Sequence, residues 1–126
     1  VKALILNGGN LNAKGVKRTT QIPIEIGYRI AKRFAEKSGG AGKKAEMLGL
    51  MVNDPNIEPG ELSRITVPTL VICGTGDMIK ESHTKVIANG IPNAELTIIR
   101  GDHFIANKRP VEFNRAVDAF LGKLPK

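Results

Sequence analysis

Two residues in this 126-residue chain stand where chemistry is expected of them. Asp77 closes the run Gly74-Thr75-Gly76-Asp77, directly after the apolar stretch Thr69 to Cys73. His103 opens His103-Phe104, directly after Glu95 to Arg100 and Gly101-Asp102. An aspartate and a histidine that each follow an apolar, β-rich run leave their strands at the same kind of end. In a parallel sheet that end is one common edge, where ligands and reactive groups collect. A carboxylate bonded to one imidazole nitrogen selects the tautomer and stabilises the imidazolium, freeing the second nitrogen to act as a base. The pair amounts to two members of a nucleophilic triad. Read blandly, Asp77 is a turn or helix N-cap residue and His103 an ordinary loop histidine.

Other reactive side chains are given no such role. Asp102 precedes His103 and is a rival carboxylate for its imidazole. His83 shares a predicted helix face with Ile79, Val86 and Ile87, the pattern of a satisfied, half-buried histidine. Cys73 is the one cysteine; inside a strand it acts as a small hydrophobe, and alone it forms neither an intrachain disulfide nor a metal-binding pair. A reducing compartment, the cytoplasm, is the expectation that follows. Asn7-Gly8-Gly9-Asn10 is glycine-rich but lacks the G-x-G-x-x-G spacing and an immediate helix, so no phosphate cradle is expected. Neither a metal nor an organic cofactor is indicated.

The elements that must carry Asp77 and His103 follow from periodicity. Val1 to Leu6 predicts a buried strand ending in the Asn-Gly-Gly-Asn breaker. A helix is predicted from about Pro23, at its first turn, to Lys37, with Ile26, Ile30 and Phe34 inward and Arg29, Lys32, Arg33, Glu36 and Lys37 toward solvent. Ser38 to Gly42 stops it. A second helix is predicted over 43–52, where Met47, Leu48, Leu50 and Met51 either line an acyl pocket or simply pack. Pro59 to Ser63 predicts a short helical turn, and Thr69 to Cys73 a strand buried on both faces. A loop and helix follow over 77–89, then the strand Glu95 to Arg100. A closing helix is predicted from Pro110 to Lys123, with Phe113, Val117, Phe120 and Leu121 inward. Strand and helix in alternation predict an α/β fold of parallel strands joined by crossover helices.

Composition narrows the functions available. With 41% hydrophobic and 25% charged residues the chain is globular in type, and its longest apolar run is far below the ~20 residues of a membrane span. The formal charge of +7 raises the question of nucleic acid. It is confined to residues 1–45, which hold ten Lys/Arg against two acids; the remainder holds nine against ten. One tyrosine and no tryptophan leave almost nothing for bases to stack on. A solvated helix face is the expectation, with no nucleic acid and no membrane as partner.

Order and spacing add a resemblance. The run Ile65-Thr66-Val67-Pro68-Thr69-Leu70-Val71-Ile72-Cys73-Gly74-Thr75-Gly76-Asp77 resembles the acid-bearing strand and loop of α/β-hydrolases, which usually read I-x-x-P-T-L-x-x-x-G-x-x-D. Ile91 to Ile99, His103-Phe104 and the helix with Phe113 and Phe120-Leu121 are similar to that family's last strand, histidine loop and closing helix. The resemblance spans residues 62–121 and is weak over 12–60, where the family's cap varies. It implies a core strand and loop at 1–11, cap-like helices at 12–60 and a C-terminal core at 61–126. It also implies catalytic roles for Asp77 and His103 in a serine hydrolase acting on a small ester-type substrate.

In that family the chain order is Ser, Asp, His, so the nucleophile is expected upstream of Val1. No G-x-S-x-G occurs here, and Ser38, Ser63 and Ser82 lie outside any strand-to-helix elbow context. The oxyanion-hole loop has no counterpart either. The implied object is the C-terminal half of a hydrolase, catalytically incomplete without its N-terminal half. The competing expectation is a non-catalytic α/β module that self-assembles through a sheet edge exposed beside Val1 to Leu6.

Overall fold

The computed structural model describes residues 1–35, 50, 52 and 55–125. Three strands form a parallel sheet in the order β1 (Leu4–Asn7), β2 (Thr69–Gly74), β3 (Ala94–Ile99). Leu4 stands opposite Thr69, and Thr69 opposite Ala94, so the three strands begin level; β2 and β3 also end level, while β1 stops two residues short of them. The described helices are α1 (Arg18–Ala35), α2 (Glu81–Gly90), the single turn α3 (Ile105–Lys108) and α4 (Pro110–Gly122). Short 3-10 helices occupy Ala13–Gly15 and Pro59–Arg64. The α/β class of parallel strands and connecting helices expected from the alternation is the one observed.

The residues divide into two compact units: Val1–Asn10 with Glu58–Lys126, and Leu11–Ile57. The first holds the sheet. β2 is its centre and every one of its residues is buried, as its unbroken apolar run requires of a strand covered on both faces. Leu70 and Ile72 point to one face and join Ile99, Ile105 and Phe120 in a core, flanked by Phe113, Ala116, Val117 and Leu124 of α4 and the residues after it. On the opposite face Cys73 meets Thr84 of α2. Pro110 opens α4, where its missing N–H costs nothing. Leu121, expected inward, is 47% exposed, and the inward line runs through Phe113, Ala116, Val117 and Phe120 to Leu124. The 3.6-residue period admits either neighbour of Phe120, and the sheet accepts one of them.

In the second unit the helix boundary and its faces both differ from expectation. α1 starts at Arg18, because the Lys17 carbonyl already accepts from Thr20 N and Gln21 N, both at 2.9 Å. Pro23 therefore lies inside the helix instead of in its first turn. Ile22, Ile26 and Ile30 are 46%, 54% and 53% exposed, while Gln21 is buried. Ile24, Tyr28 and Ala31 are half-buried. The buried stripe thus lies on the side of the helix opposite the isoleucine stripe, about half a turn away. The side chain of Phe34, the joint 38–42, and most of the helix expected over 43–52 lie outside the described residues. Within that helix's span Leu50 is 62% exposed.

Candidate active site

Because the strands run parallel and in level register, the loops after β2 and β3 leave the sheet side by side. They are then tied together through their backbones. Thr75 N donates to Ile99 O at 2.9 Å, Gly76 N to Gly101 O at 2.7 Å, and Gly101 N to the Thr75 hydroxyl at 3.3 Å. This closeness requires Gly74: a Cβ there would run into the carbonyl oxygens of Asp102 and Gly101. The sequence Gly-Thr-Gly-Asp is a clasp as well as a carrier of the acid.

The clasp brings Asp77 and His103 into contact. His103 Nδ1 lies 2.9 Å from Asp77 Oδ1, and the same oxygen accepts from Ile79 N at 3.0 Å. Asp77 therefore does both things its sequence context allowed, shaping its own turn and holding an imidazole. The carboxylate is almost wholly enclosed, its side chain 1% exposed against 31% for His103. An acceptor-only carboxylate facing Nδ1 demands the proton on Nδ1, which leaves Nε2 with its lone pair. Among the described residues Asp77 Oδ2 is buried and without a hydrogen-bond partner. The Phe104 ring stands edge-on to the imidazole at 5.5 Å between centroids.

Asp102 is no rival for this imidazole. Its Oδ1 accepts from Phe104 N at 2.8 Å and its Oδ2 from Lys108 Nζ at 2.6 Å. The bond from Lys108, then that from Phe104 N, holds its carboxyl below the usual carboxylate range. A residue next to the histidine is aimed away from it, and here it braces the start of α3 instead. His83 is half-buried on α2; burial, then the nearby Lys80, pulls it below the ordinary imidazole range. Cys73 is buried, and burial first and Asp77 second push its thiol up, the state of an unreactive core cysteine.

One neighbour of the pair escaped the sequence reading. Gly8, just past β1, has φ +62° and lies against the His103 ring and Asp77 Oδ2. Its signal was the Asn7-Gly8-Gly9-Asn10 cluster at a strand's carboxyl end, set aside because it does not fit a phosphate site. Among the described residues no group of three or more His, Cys, Asp or Glu is placed to hold a metal. No described helix is long and apolar enough to cross a membrane.

Comparison with known proteins identifies the fold. The structure superposes on an enol-lactonase from Burkholderia xenovorans LB400 with a TM-score of 0.68 over 98% of this chain, at 16% identity. It superposes on an alpha/beta fold family hydrolase from Bacillus anthracis str. Sterne with a TM-score of 0.62 over 94% of the chain, at 17% identity. In sequence, 67 residues are 40% identical to a Pseudomonas syringae pv. syringae protein described as the carbamate hydrolase RutD.

The chain has the α/β-hydrolase fold. No model of an individual family matches it. The chain spans 57% and 58% of the length of the two solved structures, and the match to RutD spans 26% of that protein.

Proposed function

We propose that this chain belongs to the α/β-hydrolase superfamily and supplies the acid and the base of a serine hydrolase, with Asp77 orienting His103. The observation that carries this reading is the 2.9 Å contact between Asp77 Oδ1 and His103 Nδ1 at the carboxyl edge of the sheet. Asp77 fixes Nδ1–H, so Nε2 accepts the proton of a serine hydroxyl as that oxygen attacks the substrate carbonyl. The resulting imidazolium sits beside the carboxylate and returns the proton to the leaving group. Asp77 orients and stabilises the imidazole and transfers no proton.

The nucleophile, in this reading, comes from a polypeptide segment outside these 126 residues, and the chain alone is inactive. The substrate is a small ester or related carbonyl compound, a class that also fits the enol-lactonase and esterase named among its structural neighbours. Intact mass spectrometry after treatment with a fluorophosphonate tests it. An adduct is expected on a longer polypeptide containing this sequence and none on the 126-residue chain. In the longer form His103→Ala is expected to cut ester turnover by about 10³-fold or more. An adduct on Ser38, Ser63 or Ser82, or near-normal turnover in His103→Ala, overturns the proposal.

A second reading has one observation of its own. β1 lies at the edge of the described sheet, and Ile5 within it is 37% exposed. Such an edge pairs readily with another strand, so the chain as a non-catalytic, self-assembling module is the alternative. Its cytoplasmic location belongs to both readings as an expectation.

A further inference from the structure

We propose that Gly8 is a positioning residue for the Asp77–His103 pair: only a residue without a side chain there lets the imidazole lie with Nδ1 on Asp77. The inference rests on the pair's reading as acid and base, and it adds a third contributor from a different strand. Gly8 N donates to Ile72 O at 3.0 Å, which continues the β1–β2 ladder by one bond and fixes the backbone at this point. A Cβ on that backbone would stand 2.7 Å from His103 Cε1, 2.8 Å from His103 Nδ1 and 3.2 Å from Asp77 Oδ2. Carbon atoms pack at about 3.5–4.0 Å, so the first two distances cannot both persist.

What yields is decided by what is anchored. The Gly8 backbone is held by the ladder, and Asp77 is enclosed and pinned by Ile79 N. His103 is the partly exposed member, on a loop, and it is the imidazole that moves. The atom pressed upon is the very nitrogen bonded to Asp77. Gly9 provides the contrast within the same cluster, because a Cβ there meets nothing within 4 Å.

Imidazole proton and nitrogen NMR on the ¹⁵N-labelled 126-residue chain reads this geometry without any activity. The Nδ1 proton held by a carboxylate gives a downfield signal, assigned by its disappearance in Asp77→Asn. Gly8→Ala combines backbone strain at φ +62° with the overlap. Gly8→Asn separates them, since asparagine tolerates the left-handed region but places its Cβ at the same point. The signal is expected to vanish in Gly8→Ala and Gly8→Asn and to survive in Gly9→Ala. Survival in Gly8→Asn, or equal loss in Gly9→Ala, overturns the proposal.

Thermal unfolding supplies a second, independent reading. The drop in Tm caused by Gly8→Asn is expected to shrink by at least half in a His103→Ala background, where the obstructed ring is gone. An unchanged drop means strain of the backbone alone and also overturns it. Turnover of His103→Ala in the longer polypeptide tests the catalytic reading, whereas these experiments test the coupling of Gly8 to His103. Either result can fail without the other.

Discussion

At the scale of single residues the site shows how a carboxylate's use is set by its donors. Asp77 and Asp102 both lie near His103 in sequence or space, yet they do different work. Asp77 is enclosed and turns one oxygen to the imidazole, while Asp102 is exposed and turns both oxygens to Phe104 N and Lys108. The depressed pKa of Asp102 has a signed consequence. A carboxyl held below its unfolded value of 3.8 contributes stability in full above that value, and loses it as the pH falls through the folded value. Asp102→Asn keeps an acceptor for Phe104 N but drops the charge facing Lys108. Its Tm is therefore expected to lie slightly below wild type at neutral pH and to converge with it below pH 3.8, by thermal melts across the acid range. A gap that persists unchanged in acid contradicts the ion-pair origin.

At the scale of elements the feature that brings Asp77 to His103 is a joint between two loops. β2 and β3 end level, and the clasp after them leaves no space for a side chain at Gly74. Gly76 lies in the same loop, but a Cβ there would make only an ordinary 3.5 Å contact with Gly101 O. Gly74→Ala is expected to destabilise the chain by about 1–3 kcal/mol through overpacking against carbonyls that cannot retreat. Gly76→Ala is expected to change stability by less than about 0.5 kcal/mol. Urea unfolding of the two variants checks the ranking, and an equal cost would mean that the clasp is not where the strain falls. The core beneath is a separate matter. Ile72 is fully buried in the core with Leu70, Ile99, Ile105 and Phe120, so Ile72→Ala is expected to cost about 2–5 kcal/mol by the same measurement.

At the scale of the whole molecule the sheet edge and the charge distribution matter most. The free edge of β1 carries Ile5, 37% exposed, in a strand only four residues long. If copies of the chain associate there, light scattering will show a mass rising with concentration, and Ile5→Lys will suppress the rise, since a charge on an edge strand opposes pairing. A constant monomer mass at high concentration rules association out. The positive charge is a weak guide to partners, because Arg29, Lys32 and Arg33 are exposed beside two equally exposed isoleucines on α1 and no tryptophan accompanies them.

Much of this was legible in the residues. Thr69 to Cys73 has no polar break, so only a strand covered on both faces suits it, and that is β2. The strand-end placement of Asp77 and His103 followed from the same logic, since parallel strands send their following loops to one edge. Their 2.9 Å contact was the natural consequence of neighbouring strands. The start of α1 was not legible: Pro23 is a good first-turn residue, and only the carbonyl of Lys17, placed by the surrounding chain, moved the boundary to Arg18. Nor could periodicity choose between Leu121 and its neighbours, because a helical stripe is wider than the surface it packs on.

By itself, then, the sequence determined the element types, the α/β class and the strand-end placement of Asp77 and His103, because these depend on local pattern and on strand direction. The tertiary structure alone decided which carboxylate takes the imidazole, because both oxygens of Asp102 are taken up by Phe104 N and Lys108. It also decided that Gly74 and Gly8 must lack side chains, because each is crowded by atoms that arrive from about 27 and 95 residues further along the chain.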